Sequence, residues 1–227
     1  MRLRPRSSHP AGLTLIELLV ALALLSVLAL LSWRTLDGMT RAQQITQEHA
    51  DRWRGWQTAL AQWDTDLDSA LETDRLPALD FDGRVLRITR SDTDQGSGLR
   101  VVGWGLQTDP ASGALRWARW MSQPLRNAGE LEQAWQQAAQ WARNPGAQDR
   151  LQQVLLTPVA DWQIFFHRGG AWSNPQSAVD DSEDPVRSAV GKLPDGVRLL
   201  LTLPDGGNPT GQLVRDWMRP TLGGEGQ

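Results

Sequence analysis

The first strong pattern along the chain is an apolar run over residues 13–31, interrupted only by Thr14, Glu17 and Ser26. Coiled into an α-helix, a run of this length spans roughly 28 Å, about the hydrocarbon thickness of a bilayer. Leu13, Leu15, Ile16, Leu18, Leu19, Val20 and Leu31 are lipid-facing candidates, and Trp33 follows at the far interface, where an indole is well placed. The helical reading continues to about Thr73 with no proline. Trp53, Trp56, Leu60, Trp63, Leu67 and Leu71 step by three or four, which predicts one core-facing stripe. Between Leu36 and Trp53 the stripe weakens into Gln43, Gln44, Gln47, Glu48 and His49. That stretch suits either water or other subunits, and Gly38 allows a bend.

After Pro77 the period changes from 3.6 to 2. Leu86 and Ile88 alternate with Arg87. Val102, Trp104 and Leu106 form a second alternating set, Leu115 and Trp117 a third, and Trp162, Ile164 and Phe166 a fourth. Val197, Leu199, Leu201 and Leu203 form the cleanest one. Turn chemistry separates these runs at Asp82-Gly83, Gly96-Ser97-Gly98, Gly169-Gly170, Asp195-Gly196 and Asp205-Gly206-Gly207-Asn208-Pro209. One helical insertion is predicted over residues 129–141, where Leu131, Trp135 and Ala138 step by four and three. The fold class is therefore α+β: a long amino-terminal transmembrane helix that continues beyond the membrane and packs against a mostly antiparallel β domain.

Charge gives the apolar helix a direction. Arg2, Arg4 and Arg6 precede it, and the positive-inside rule places the amino terminus in the cytoplasm and the rest of the chain across the membrane. A secretory signal peptide also begins with basic residues, but its apolar core is about 7–15 residues long and ends in a small-residue cleavage site, which is missing here. A plain signal anchor leaves Glu17 unexplained. A carboxylate within an apolar transmembrane helix costs on the order of 2.5–3.5 kcal/mol on insertion scales and is normally paired. A cut after Gly12 supplies the partner. Leu13 would then carry a free α-amine of pKa roughly 7.7–8.0, cationic at neutral pH. Glu17, one helical turn away, would meet such an amine on a neighbouring subunit.

The residues 12–21, Gly-Leu-Thr-Leu-Ile-Glu-Leu-Leu-Val-Ala, resemble the class III signal of type IV prepilins and pseudopilins. That resemblance implies cleavage between Gly12 and Leu13 by a prepilin peptidase, N-methylation of Leu13 and assembly through Glu17. The usual first mature residue is Phe, and here it is Leu13. Further segments resemble the J-type minor pseudopilins of type II secretion. They are Trp33-Arg34-Thr35-Leu36-Asp37, the stretch 98–104 together with Leu115-Arg116-Trp117, the stretch 159–164 together with Trp172, and the stretch 193–199. The resemblance implies two packed antiparallel sheets beside the helix and a place in the pseudopilus tip. It implies the I-type, K-type and H-type minor pseudopilins and the major pseudopilin as partners, and the inner membrane as location. Its domain organisation is a cleaved leader at 1–12, a transmembrane half-helix at 13–33, a periplasmic half-helix at 34–75, a β-rich domain at 78–218 and a tail at 219–227. The insertion at 129–141 departs from the family pattern.

Composition narrows the rest. The formal net charge is −3, and setting aside Arg2, Arg4 and Arg6 leaves 20 basic against 26 acidic residues. That balance argues against a nucleic-acid-binding body and hence against a DNA-uptake pseudopilin. The chain has no cysteine, which removes disulfides and thiolate chemistry and leans away from a minor pilin of a type IV pilus. Twelve tryptophans with no tyrosine read as packing, and Trp104, Trp117 and Trp120 as core. His9, His49 and His167 lack metal-ligand spacing, and His167 beside Gly169-Gly170 reads as a surface residue. Asp180, Asp181, Glu183 and Asp184 form either a solvated acidic loop or a weak calcium site. No nucleophile elbow or phosphate-binding loop is present, so the chain reads as a non-enzymatic assembly subunit with no cofactor and no small-molecule substrate.

Overall fold

A computed structural model describes residues 14–92, 98–176, 193–206 and 209–220. It begins with α1 (Leu15–Asp68), a helix of 54 residues. The chain divides into two compact units, Met1–Asp51 and Arg52–Gln227, and α1 contributes to both. Within the first unit α1 passes through Gly38 without a break.

The second unit takes the last turns of α1 and two antiparallel sheets. Strands β1 (Leu79–Phe81), β2 (Val85–Asp92), β3 (Gly98–Thr108), β4 (Leu115–Met121) and β5 (Gln153–Pro158) form the first sheet in simple sequential order. Helices α2 (Ala128–Arg143) and α3 (Ala147–Leu151) are inserted between β4 and β5. The second sheet comprises β6 (Asp161–Arg168), β7 (Ala171–Ser173), β8 (Gly196–Leu203) and β9 (Gly211–Met218), in the order β7-β6-β8-β9. The α+β class and the two antiparallel sheets are as the sequence predicts.

The alternation of each strand divides the apolar residues between two cores. Leu86, Ile88, Val102, Trp104 and Trp117 of the first sheet meet Trp162, Ile164, Phe166, Val197, Leu199 and Leu201 of the second. Trp56, Trp63 and Leu67 of α1 complete this main core. Trp63, Trp104 and Trp117 sit at its centre, with ring centroids 4.4–5.6 Å apart. Trp120 has the opposite parity to Trp117 and joins the second core, where α2 covers the other face of the first sheet with Leu131, Trp135, Ala138 and Trp141. Trp104, Trp117 and Trp120, expected in the core, are therefore all buried, but on two faces. Gly103 and Gly105 make room for the Trp141 ring, since a Cβ on Gly103 would lie 3.2 Å from it.

Two members of the predicted α1 stripe stay exposed. Trp53 precedes the first core contact and is 49% accessible. Leu71 lies past the helix end and is 44% accessible. The helix stops at Asp68, short of the expected Thr73, because the next residues join β2 instead. The Leu71 amide donates to Thr89 O at 2.8 Å, the Ser91 amide donates to Ser69 O at 3.1 Å, and Ala70 bridges Arg90.

Candidate functional site

The candidate site of the first unit is its apolar helix. Every residue from Leu15 to Leu31 is exposed, including Leu15, Ile16, Leu18, Leu19, Val20 and Leu31, and among the described residues none of its side chains has a core to join. Apolar surface of this extent is favourable only against lipid or other apolar helices. The sequence therefore makes a helix here whose burial must come from outside the chain.

Glu17 lies in the first turn, and the structure gives it a local partner that the sequence reading missed. Thr14 precedes the helix, and its backbone N–H and hydroxyl donate to Glu17 Oε2 at 3.3 and 3.2 Å. The Glu17 amide donates back to Thr14 Oγ1 at 3.4 Å. Thr14-Leu15-Ile16-Glu17 is thus a capping box, legible as a threonine followed three residues later by a glutamate ahead of an apolar run. It turns the carboxylate back towards the amino end of the helix, where the partial positive charge of the helix dipole also favours an anion. The arrangement holds the carboxylate against the Thr14 backbone N–H at the amino end of the helix. Arg2, Arg4, Arg6, His9, Gly12 and Leu13 lie outside the described residues, as do Asp180, Asp181, Glu183 and Asp184.

The remaining candidates have structural surroundings. His49 is half-buried on α1. His167, expected at the surface, is half-buried beside Trp172, with ring centroids 5.1 Å apart. Among the described residues no group of three His, Asp or Glu is arranged to hold a metal ion.

The second unit holds a polar site that sequence reasoning also missed. Asp66, on the face of α1 that enters the main core, is completely buried. Its oxygens accept five hydrogen bonds. Arg119 Nε and Nη2 donate at 2.7 and 2.9 Å, Arg90 Nη1 at 2.5 Å, Trp104 Nε1 at 2.9 Å and Gln62 Nε2 at 3.1 Å. Its neighbours on α1 reach the second sheet: Asp64 pairs with Arg215 of β9, and Asp68 accepts from Trp217 Nε1 at 2.7 Å. Glu72, just past the helix, accepts from the Leu193 amide at 2.7 Å. Alternating acidic residues on a helix read as solvated in sequence, because their partners lie 24 to 151 residues away. On the outer face of the second sheet Arg198 forms a bidentate pair with Asp216, at 2.7 and 2.6 Å, and stacks on Trp172 at 4.4 Å. Hydrogen bonding to Arg198 holds the Asp216 carboxyl below the usual carboxylate range.

Comparison with known proteins identifies two segments along the chain. Residues 34–214 match the family described as type II secretion system protein J. Residues 8–33 match the prokaryotic N-terminal methylation motif. The chain is also similar to the type II secretion system protein J of Vibrio cholerae serotype O1, with 29% identity over 202 residues that cover 87% of this chain and 83% of the relative.

Proposed function

The chain belongs to the type II secretion system protein J family, and from that premise we propose that it is cut between Gly12 and Leu13, methylated on Leu13 and built into the pseudopilus tip through Glu17. As a member of that family it is a minor pseudopilin, a membrane-anchored structural subunit of the secretion machine and not an enzyme, and it assembles with other components of that machine. The observation that carries the proposal is the wholly exposed apolar helix with a single carboxylate at its start.

In this reading Arg2, Arg4 and Arg6 hold the amino terminus in the cytoplasm, and a prepilin peptidase cuts there. The helix then crosses the inner membrane once, and the β domain lies in the periplasm. After the cut, the capping box presents Glu17 to a cationic amine, which makes a pair far better solvated in hydrocarbon than either charge alone. The I-type, K-type and H-type minor pseudopilins and the major pseudopilin are the proposed neighbours, and the reading needs no cofactor. A minor pilin of a type IV pilus, or a DNA-uptake pseudopilin, would share the amino terminus. Co-purification of I-type and K-type subunits supports secretion, whereas co-purification of a major pilin points to a pilus.

The test is the intact mass of the membrane-extracted protein with and without a co-expressed prepilin peptidase. The expected product begins at Leu13 and carries one methyl group. An uncut chain, or one cut after Leu31, would remove the partner proposed for Glu17 and overturn the reading.

A further inference from the structure

The apolar stripe of α1 specifies its place in the core only loosely. Trp56, Leu60, Trp63 and Leu67 are large side chains one turn apart, all within or against the main core. Sliding the helix by a turn sets one large side chain where another was. Hydrophobic burial is non-directional and follows area, so it draws α1 onto the sheets while discriminating weakly between adjacent turns.

Asp66 discriminates strongly. Its carboxylate sits between two guanidiniums whose side chains are only 13% and 12% accessible, those of Arg90 on β2 and Arg119 on β4, with the Trp104 indole of β3 between them. A shift of α1 by one turn towards its carboxyl end brings Gln62 to that place. Gln62 carries no charge, and two cations are then left in a poorly hydrated site without a carboxylate. The Asp64–Arg215 and Asp68–Trp217 contacts change partners in the same displacement, so both sheets report the same register.

We propose that the Asp66–Arg90–Arg119 cluster is a register lock: it positions the β domain on the last turns of α1, and this positioning, beyond any contribution to stability, is what assembly requires. Buried polar groups that specify register rather than add stability are known in helical assemblies. The lock itself needs only the fold, whereas its consequence for secretion rests on the assembly reading above. The two are therefore measured separately.

The experiment uses the full chain in detergent. Because the chain has no cysteine, spin labels can be attached at exposed Gln57 on α1 paired with Ala111 or Gln212 at the two sheets, each position replaced by cysteine. Pulsed dipolar spectroscopy then reads the two distances. The lock is removed by Asp66→Leu with Arg90→Met and Arg119→Met, an apolar exchange of the kind that often leaves stability unchanged or raised. The expected result is a folded protein whose thermal midpoint falls by no more than the orphaned Trp104 indole N–H accounts for. Its distance distributions gain a second population displaced by up to about one helical turn, roughly 5.4 Å, and it fails to support secretion. Asp66→Asn, of the same size but uncharged, is the second variant, with the displaced population at lower weight. If the triple variant does not fold, Asp66→Asn alone decides. A single wild-type distance in every folded variant overturns the lock. A displaced population with normal secretion keeps the lock and overturns its role in assembly.

Discussion

Two tryptophans at the centre of the main core separate a hydrogen bond from ring packing. Trp63 and Trp104 are both fully buried, with centroids 5.5 Å apart. Trp104 Nε1 donates to Asp66 Oδ2 at 2.9 Å, whereas Trp63 Nε1 has no hydrogen-bond partner among the described residues. Exchanging indole for phenyl removes the same atoms from each site, so the cavity contributions largely cancel in the comparison. Trp104→Phe also removes a hydrogen bond to a charged acceptor, worth about 1.5–3 kcal/mol. Trp63→Phe removes a donor that is already unpaired and loses nothing of that kind. Trp104→Phe is therefore expected to be the more destabilising by at least about 1.5–3 kcal/mol. For a domain of this size one kcal/mol moves the thermal midpoint by about 2–4 °C, which gives a gap of about 3–12 °C between the variants. Thermal and urea unfolding of the detergent-solubilised chain, followed by circular dichroism, measure it. A double-mutant cycle with Asp66→Asn should recover most of the difference as coupling. Equal midpoints, or a lower one for Trp63→Phe, would refute the reasoning that the Asp66 carboxylate draws on the Trp104 indole.

Other sites give sharper, smaller tests. Gly103→Ala places a Cβ 3.2 Å from the Trp141 ring and 3.3 Å from Val85 Cγ2, and should cost about 1–3 kcal/mol in urea unfolding. Gly38→Ala meets no atom within 4 Å and lies inside a helix, so it should raise helicity and stabilise α1 by about 1 kcal/mol without altering processing. Glu17→Ala should leave the unfolding midpoint of the β domain in place while abolishing secretion, and a variant that secretes normally would remove Glu17 from assembly. The Asp216 carboxyl is held below its unfolded value by Arg198, so its pairing stabilises the fold above the unfolded pKa of about 3.9 and is lost as pH falls through the lower folded value. Asp216→Asn should flatten that part of the acid limb when urea midpoints are followed downward in pH, with a small deficit at neutral pH that disappears as the wild-type carboxylate becomes protonated.

The parts of the fold that were legible in sequence are those whose side chains record their surroundings locally. Leu13 to Leu31 and Glu17 stand out because so long an apolar run is unfavourable in water, and a lone charge within it is unfavourable in lipid unless paired. β8 reads cleanly because one face is entirely core and the other is not. β9 does not, because its inward positions include Arg215, which is satisfied by Asp64 at a separation of 151 residues. β1 and β7 are three residues each, too short to show a period. β5 ends on Pro158 at a sheet edge, where its alternation is diluted by exposed Val154. α2 was legible from the spacing of Leu131, Trp135 and Ala138, but its task was not. That task is to cover the second face of the first sheet, and it becomes visible only once Gly103, Gly105 and Trp141 are brought together. Asp66 reads as one more polar helix residue until the strands that carry Arg90 and Arg119 are in place.

The sequential order of the first sheet has a kinetic consequence. Each of its early pairings closes a short loop: Asp92 meets Gly98, and Thr108 meets Leu115. The ties from α1 to the strands close spans of 24 to 151 residues. Loop-closure entropy rises by about 0.6 kcal/mol for each doubling of length, and non-local contacts form more slowly. The hairpins of β2, β3 and β4 should therefore gain protection in pulsed hydrogen exchange before the amides of α1 around Trp63. A chain that enters the membrane helix first thus pairs β2, β3 and β4 while the Trp56–Leu67 seam is still bare, and these hairpins then capture a helix already anchored at its other end.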